Sequence, residues 1–190
     1  MGGCKSAWSF LSLVCWRIEW ALKHKGIDYE YIEQDLRNKS TLLLKSSPRR
    51  NRHNHLLPED PLEKAMVRFW AKYVDDKCVL DALAASRAKG SEQKKAVNSA
   101  QESLKLLEKL IEGKKLFGGE TIGFLDLVVG SLPNWLRLLE GMEGIKLFDS
   151  EKLPLLHEWA QRFTEIPIIK ECMPKTEDLI SCFRAQRIGK

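Results

Sequence analysis

Residues 56–77 read LLPEDPLEKAMVRFWAKYVDDK and mark the start of a helical region. Asp60 is a residue type that favours the N-cap, Pro61 fits the first helical turn, and Glu63 is the acid that a capping box requires. Together they predict a long helix over about 61–88 that ends at Gly90. On one side of it, at helical spacing, are Ala65, Phe69, Tyr73 and Lys77, with Met66, Trp70 and Val74 beside them.

Further helical patterns follow this segment. A second long helix is predicted over about 92–112 from its 3.6-residue apolar period. Its buried stripe is predicted to be Val97, Leu104, Leu107 and Ile111. Gly118 and Gly119 predict a turn, and Pro133 predicts a kink or an irregular start in an apolar helix over 125–140. The remaining predicted helical segments are 151–164, 168–172 and 176–186. These patterns indicate an all-helical domain that begins near residue 60.

The N-terminal part of the chain has a different pattern. A helix is predicted over 12–25, because Ser12 is an N-cap residue type and Gly26 is a helix stop. Its buried face is predicted to be Val14, Ile18, Ala21 and Leu22. The other predicted elements are strands over 5–11 and 27–33 and a short helix over 39–46. A strand, a helix and a strand within about thirty residues indicate a βαβ unit with parallel strands.

Composition and charge exclude several classes of protein. The chain has 190 residues, of which 44% are hydrophobic and 30% charged, so it is neither a disordered chain nor a collagen-like fibre. The net charge is +5, but the two signs alternate along most of the chain, which favours solvated helix faces over a nucleic-acid footprint. No apolar run approaches the roughly 20 residues of a membrane span.

Clusters of basic residues and cysteines give little support for a binding site by themselves. The one basic cluster, residues 49–55, favours a solvated loop over a phosphate contact. The five cysteines are scattered and include no C-x-x-C pair, so neither a zinc site nor a dithiol redox motif is predicted. Reduced thiols in a cytosolic protein are the simplest interpretation.

Three polar residues and a set of aromatic residues are candidates for function. Ser12 lies at a predicted helix N-terminus, where unpaired N–H groups and the helix dipole stabilise an anion, although a simple N-cap is the commoner role. Lys39 on its own is a surface lysine. Asp126 lies in the first turn of a buried helix, which indicates a structural role. The aromatic residues Phe69, Trp70, Trp135 and Trp159 are predicted to be core, and a subset of them could line an apolar pocket.

Four stretches carry a resemblance to a known family: RIEWALKHKGIDYEYIEQDLRNKS from Arg17, LLPEDPLEKAMVRFWAKYVDDK from Leu56, GGETIGFLD from Gly118, and GIKLFDSEKLPLLHEWAQRFTEIP from Gly144. Over nearly its whole length, the chain resembles a plant tau-class glutathione transferase. The resemblance implies an α+β, mostly helical fold. An incomplete thioredoxin-like domain is expected in 1–55 and an all-α glutathione-transferase domain in 56–190.

The resemblance also implies an activity. A cytosolic enzyme of this class conjugates the thiol of glutathione, its co-substrate, to hydrophobic electrophiles such as xenobiotics, without a metal. A homodimer, or a heterodimer with relatives, is expected, with no nucleic acid or membrane partner. By position, Ser12 matches the catalytic serine that hydrogen-bonds the glutathione sulfur, and Lys39 matches a lysine at its glycyl end. The electrophile pocket is expected to include Phe10, Val79, Leu83, Trp135 and Phe183.

Two departures from the family pattern bear on activity. Leu13 follows Ser12 where the class usually has proline. Between Pro48 and Leu56 the chain has seven residues where relatives carry roughly 30 or more, estimated from ordinary element lengths. That segment holds a Val-Pro pair, whose cis-proline loop binds the cysteinyl backbone of glutathione, and a Glu-Ser pair, which holds its γ-glutamyl group. Residues 49–55 are then the join across the missing segment.

Two hypotheses about function follow. In the first, the chain is a glutathione transferase whose activity is reduced by the loss of these contacts. In the second, it is a non-catalytic module of the same family that binds apolar ligands or dimerises with intact relatives.

Overall fold

A computed structural model describes residues 13–29 and 56–173. In chain order the elements are α1 (Leu13–His24), α2 (Pro61–Tyr73), a π-helical turn (Val74–Cys78), α3 (Val79–Arg87), α4 (Gly90–Ile111), α5 (Phe124–Gly130), α6 (Leu132–Glu143), α7 (Pro154–Glu165) and α8 (Pro167–Cys172). Within the described ranges, β-pairing is limited to an isolated bridge between Leu116 and Gly119. No described helix is both long enough and apolar enough to cross a bilayer. The elements predicted over 5–11, 39–46 and 176–186 lie outside the described residues. Of the strand predicted over 27–33, the structure describes residues 27–29, and none of these is in a strand.

The long helix predicted over 61–88 is present, with a wider π-helical turn at its centre. The Asp60 carboxylate caps it by accepting hydrogen bonds from the backbone N–H groups of Leu62 (2.9 Å) and Glu63 (2.8 Å). The helix ends at Arg87 because Ala88 is extended. Gly90, which was predicted to end this helix, is instead the first residue of α4, with φ of 61°.

Phe69 and Trp70 of α2 were predicted to be core, and this is wrong for Phe69, whereas Trp70 is partly buried against the core. Phe69 is 58% exposed and Met66 is also exposed, whereas Ala71 and Val74 are buried. The buried line continues through small residues of α3 and the π-helical turn: Cys78, Ala82 and Ala85. Small side chains along this line allow α4 to pack closely against α3, so the larger aromatic residues of α2 lie beside the contact rather than in it.

The predicted face of α1 is only partly correct, since Ala21 packs against the core but Ile18 does not. Ile18 is 53% exposed, and the side chains that enter the core are Trp16 and Trp20. An indole buries more apolar area than an isoleucine side chain, so the two tryptophans decide which side of α1 faces the protein. The predicted stop is confirmed, because Gly26 has φ of 61° and the N–H groups of Gly26 and Ile27 close the helix.

Long-range carboxylates hold the ends of the later elements. One carboxylate, Glu108 of α4, accepts hydrogen bonds from Leu155 and Leu156 N–H (2.8 Å each) at the start of α7. Glu140 of α6 accepts hydrogen bonds from the N–H groups of the 147–148 turn (2.6 and 2.7 Å). Tertiary contacts thus pair the backbone donors at the start of α7 and in the 147–148 turn. The predicted α4 stripe is confirmed at Leu104, Leu107 and Ile111, which are buried, and Val97 is half-buried against the same core.

Asp126 is the best-connected buried polar group in the described part of the chain. Its side chain is fully buried. Its two oxygens accept hydrogen bonds from the backbone N–H groups of Phe117 (2.8 Å), Gly118 (2.8 Å) and Gly123 (2.9 Å), and from Trp159 Nε1 (3.0 Å). The structural role predicted for Asp126 is therefore confirmed.

The apolar helix predicted over 125–140 is divided into α5 and α6 at Ser131, two residues before Pro133, as the proline indicated. The division lies where α5 touches α7. A Cβ atom on Gly130 would lie 2.3 Å from Phe163 Cε1, so only glycine fits this contact.

Replacing Asp126 by asparagine should lower the free energy of unfolding by about 3 kcal/mol, because the new NH₂ group faces two donors that lose their acceptor. Urea unfolding followed by circular dichroism measures this loss. The control is Asp76→Asn, which removes an exposed carboxylate paired with Lys72 and should change stability by less than about 1 kcal/mol. Equal effects of the two substitutions would contradict the role given to Asp126.

Two glycine substitutions should have opposite effects. Gly130→Ala should destabilise the protein by about 1–3 kcal/mol through overpacking against Phe163. Gly141→Ala in α6 should stabilise it by about 0.5–1 kcal/mol, because a Cβ atom there meets nothing within 4 Å and alanine is the better helix former. Thermal unfolding of both variants measures the difference, and a stabilising Gly130→Ala would contradict the close contact.

Candidate functional site

Most of the predicted site residues lie outside the described residues. They are Phe10, Ser12, Lys39 and Phe183. Their predicted roles therefore stay predictions. In the sequence Ser12 directly precedes Leu13, the first residue of α1. What can be described is how α1 is held.

The two tryptophans of α1 join it to the helical core. Trp20 is fully buried and meets Phe163 of α7 edge-on, with ring centroids 5.5 Å apart. Trp16 is also buried, with its ring centroid 6.3 Å from that of Trp20. Apart from these rings, α1 packs against α5 and α8. This apolar contact holds α1 against the helical region.

Arg17 adds a polar link at the same interface. Its guanidinium Nη1 lies 2.7 Å from Asp75 Oδ1 in an ion pair, and its Nε donates a hydrogen bond to Ser131 Oγ (3.3 Å). The Arg17 side chain is 11% exposed, whereas that of Asp75 is 50% exposed. One residue thus joins α1 both to the π-helical turn and to the junction of α5 and α6.

The π-helical turn places Asp75 for this contact. Its ends, Val74 and Cys78, are buried, whereas Asp75 and the two residues after it are exposed. Single π-helical turns inside α-helices often lie at functional sites. Sequence reasoning assigned no role to Arg17 or Asp75. An available sign was the position of an arginine between two buried tryptophans, where burial requires an acidic partner.

The three predicted pocket residues that the structure describes lie on two helices that pack together. Val79 and Leu83 of α3 are half-buried, and Trp135 of α6 is almost completely buried. All three belong to or pack against one hydrophobic core. Their proposed contact with an electrophile stays a prediction.

Two ionisable groups of the described core, the Cys78 thiol and the Tyr73 phenol, are not nucleophiles at neutral pH. Burial raises the pKa of the Cys78 thiol and that of the Tyr73 phenol each to about 12. Both groups donate hydrogen bonds to the carbonyl oxygen of Ser103, from Tyr73 Oη at 3.1 Å and from Cys78 Sγ at 3.7 Å. Each is therefore protonated at neutral pH and acts in packing. Among the described residues, no group of three or more histidine, cysteine, aspartate or glutamate side chains could hold a metal ion.

A separate apolar groove lies at the start of the helical region. It has a volume of about 630 Å³ and runs between residues 56–58, one side of α2, and residues 110–125. The residues that line it include Val67, Phe117 and Phe124. The Phe124 N–H donates a hydrogen bond to the carbonyl oxygen of Leu56 (2.7 Å), which joins two walls of the groove.

Comparison with known proteins agrees with this architecture. A family model described as "Glutathione S-transferase, C-terminal domain" matches residues 64–167. The chain is 36% identical to glutathione transferase GST 23 of maize (Zea mays), over 90% of this chain and 89% of the maize protein. It is 42% identical to glutathione S-transferase U4 of Arabidopsis thaliana, over 86% and 85% of the two chains.

Solved structures show the same likeness. The tau-class glutathione S-transferase of mango (Mangifera indica) superposes with a TM-score of 0.82 at 35% identity, covering 93% of this chain and 94% of the mango chain. Rice GST1, solved in complex with glutathione, superposes with a TM-score of 0.79 at 27% identity, covering 94% and 93%. These neighbours combine a thioredoxin-like N-terminal domain with an all-helical C-terminal domain, which confirms the predicted fold class.

One detail of the alignments bears on the missing segment. The alignment with the maize protein is 198 residues long, more than the 190 residues of this chain, although it includes only 90% of the chain. Part of the maize protein therefore faces a gap in this sequence. The predicted place of that gap, between Pro48 and Leu56, stays a prediction. With its helical region, its relatives and its structural neighbours in agreement, the chain belongs to the glutathione S-transferase family and lies within the plant tau class.

Proposed function

We propose that the chain conjugates the glutathione thiol to hydrophobic electrophiles, with lower activity than intact relatives. The observation that carries the proposal is the fixed position of α1, since the proposed catalytic residue Ser12 directly precedes this helix in the sequence. Trp16, Trp20 and Arg17 hold α1 against the helical region through buried apolar contacts and one ion pair.

The chemistry follows from the properties of a thiol near a helix N-terminus. The positive end of a helix dipole and a hydroxyl donor both favour a thiolate over a thiol, which lowers the pKa of the glutathione sulfur from about 8.5. The proton leaves to solvent. The thiolate then forms a carbon–sulfur bond to the electrophile while the bond to the leaving group breaks, and the leaving group takes that electron pair.

Reduced activity is proposed because a segment is absent from the chain. Relatives of the tau class hold the cysteinyl and γ-glutamyl parts of glutathione with a Val-Pro pair and a Glu-Ser pair. No Val-Pro pair occurs in this sequence, and its one Glu-Ser pair, Glu102-Ser103, lies in the interior of α4 and not at a helix N-terminus. The serine that acts on the sulfur remains, with Lys39 for the glycyl end. Weak glutathione binding, and so a high KM, is the expected consequence.

The partners and location are proposed on the same basis. A cytosolic homodimer, or a heterodimer with relatives, fits the family, whose members typically assemble as dimers. Val79, Leu83, Trp135, Phe10 and Phe183 are proposed to line the electrophile pocket.

A second candidate function has its own support. The described residues that line the apolar groove beside α2 all lie between 56 and 125, and Val79, Leu83 and Trp135 are not among them. A chain without measurable conjugation would therefore still be able to bind an apolar ligand, as a non-catalytic module of the family.

Substitution of Ser12 by alanine tests the enzymatic proposal. Turnover of 1-chloro-2,4-dinitrobenzene with glutathione should fall by about 10- to 100-fold, because a hydrogen bond to a charged sulfur contributes about 1.5–3 kcal/mol. Ser91→Ala, which changes an exposed serine in the first turn of α4, is the control and should leave turnover unchanged. No retention on glutathione resin and no turnover by the unmodified protein would favour the second candidate.

Substitution of Arg17 by methionine tests whether the link between α1 and Asp75 positions the reacting sulfur. The free energy of unfolding should fall by about 2–3 kcal/mol, since the ion pair and a hydrogen bond are lost at a nearly buried site. The conjugation rate at low glutathione should fall about tenfold, and its pH profile should shift upward, because a displaced α1 stabilises the thiolate less. Lys72→Met, which breaks the exposed pair with Asp76, is the matched control. A loss of stability with an unchanged pH profile would show that Arg17 only supports the fold.

A further inference from the structure

A polar cleft lies between the first half of α4 and the loop that joins α6 to α7. We call it the lysine cleft and define it by the three exposed lysines that line it: Lys94 of α4, and Lys146 and Lys152 of the loop. Its volume of about 470 Å³ lies within the range of about 300–1,000 Å³ that is usual for ligand pockets. The described residues that are proposed to contact an electrophile, on α3 and α6, do not line it.

A buried glutamine holds the two sides of the lysine cleft together. Gln101 of α4 is only 6% exposed. Its Nε2 donates a hydrogen bond to the carbonyl oxygen of Lys146 (2.7 Å), and its Oε1 accepts one from Lys152 Nζ (2.6 Å). An amide that is buried among apolar residues must be paired in this way, because an unpaired one would destabilise the fold. The two hydrogen bonds therefore set the position of the loop lysines relative to α4.

The one acid that lines the cleft lies beneath its lysines. The Asp149 side chain is 8% exposed, whereas that of Lys146, its ion-pair partner at 2.9 Å, is 64% exposed. Asp149 also accepts a hydrogen bond from the backbone N–H of Glu151 (3.0 Å). The Lys146 ammonium holds the pKa of Asp149 below its ordinary value, so the carboxylate stays charged and paired at neutral pH. A ligand that enters the cleft thus meets exposed ammonium groups before it meets the carboxylate.

The other two lysines supply the excess charge of the cleft. Lys152 donates its hydrogen bond to a neutral amide, and Lys94 forms no ion pair with another described residue. Lys95, the next residue of α4, is in contrast paired with an acid of its own helix at 2.9 Å and does not line the cleft. Glu140, an acid near Lys146, is occupied by the N–H groups of the 147–148 turn. The described lining is therefore positive overall, and a concave surface of one sign concentrates ions of the other sign.

The remaining lining favours an organic anion over a bare ion. Val97 and Ile145 form an apolar wall of the cleft, and both are half-buried against the core. The amides of Gln93 and Asn98 add neutral polar groups. An ammonium binds phosphate as a compact point charge. A phosphate monoester carries a charge of about −1.5 to −2 at neutral pH, which matches the two lysines that have no acidic partner.

From this lining and this charge we propose that the lysine cleft binds a small phosphate ester. The ammonium groups of Lys94 and Lys152 bind the phosphate, and the organic part of the ligand lies against Val97 and Ile145. The site is separate from the proposed glutathione chemistry at Ser12, and binding there involves no covalent step.

Three anions that differ in charge and in their organic part test the proposal. They are phenyl phosphate, phenyl sulfate, which has the same ring but a single charge, and inorganic phosphate, which has no ring. Proton NMR of the phenyl ring, titrated with protein at pH 8, measures the affinities of the two phenyl esters, and competition measures that of inorganic phosphate. Phenyl phosphate should bind more tightly than either of the others, because only it has both features that the cleft offers.

Substitutions of single lysines locate the site. Lys94→Gln and Lys152→Gln should each weaken the binding of phenyl phosphate about threefold, the ratio expected when one exposed charge pair is lost. Lys152→Arg keeps the charge and should bind within about twofold of the unmodified protein, which separates the role of the charge from that of the hydrogen bond to Gln101. Lys95→Gln, which removes the same charge from the neighbouring position of α4, is the matched control and should leave the affinity unchanged. Near-ultraviolet circular dichroism verifies that each variant keeps its fold.

Four results would overturn the proposal. Equal weakening by Lys95→Gln and Lys94→Gln would show that the ligand senses only diffuse surface charge. Inorganic phosphate that binds as tightly as phenyl phosphate would remove the contact with the apolar wall. Displacement of phenyl phosphate by S-hexylglutathione, or its loss in Ser12→Ala, would place it in the conjugation site. No binding of phenyl phosphate, with lysine-dependent binding of phosphatidic acid vesicles, would assign the two charges to a membrane surface. Because the readout is ligand binding, a chain without any conjugating activity can still give the expected result.

Discussion

A buried carboxylate with four hydrogen-bond donors holds the described part of the structure together. Asp126 is fully buried and pairs with Phe117, Gly118, Gly123 and Trp159. A carboxylate without partners could not be buried here, because the loss of hydration would cost far more than the packing gains. Burial of Asp126 therefore requires that the 116–123 turn, the start of α5 and the centre of α7 meet at this point.

The position of α1 depends on this arrangement. Gly130 at the end of α5 lies against Phe163 of α7, and Phe163 in turn contacts Trp20 of α1. The apolar contact holds α1 in place but allows it to slide or rotate, since dispersion contacts have little direction. The ion pair between Arg17 and Asp75 has a defined geometry and fixes the position of α1 along the π-helical turn. The position of α1 thus depends on a packing contact with α7 and on an ion pair with the π-helical turn.

The positions and ends of the helices could be predicted from the sequence more accurately than which side of each helix faces the core. Caps and stops such as Asp60 and Gly26 act through local geometry, so they could be identified from a few neighbouring residues. The same holds for Asp126, because an acid in the first turn of a buried helix has few alternatives.

The inward face of α1 was predicted wrongly at Ile18, since the sequence offers one stripe with Ile18 and another with Trp16 and Trp20, and only the docked partner decides between them. Arg17 and Asp75 are 58 residues apart, so no local pattern could pair them. Ser12 and Lys39 gained a role only through the family resemblance, because a serine at a helix N-terminus is more often a simple cap.

The helical region and the glutathione contacts depend on different parts of the chain, and this difference governs what a shortened member of the family can retain. The capping carboxylates Glu108 and Glu140, the Asp126 cluster and the described residues that line the apolar groove beside α2 lie between residues 56 and 159. Loss of a segment before Leu56 removes none of these contacts. The glutathione contacts of relatives, in contrast, lie mainly before that point. The apolar groove and the proposed glutathione site can therefore change independently, because no residue of α1 lines the groove, whereas the proposed thiolate site depends on how α1 packs against the helical region.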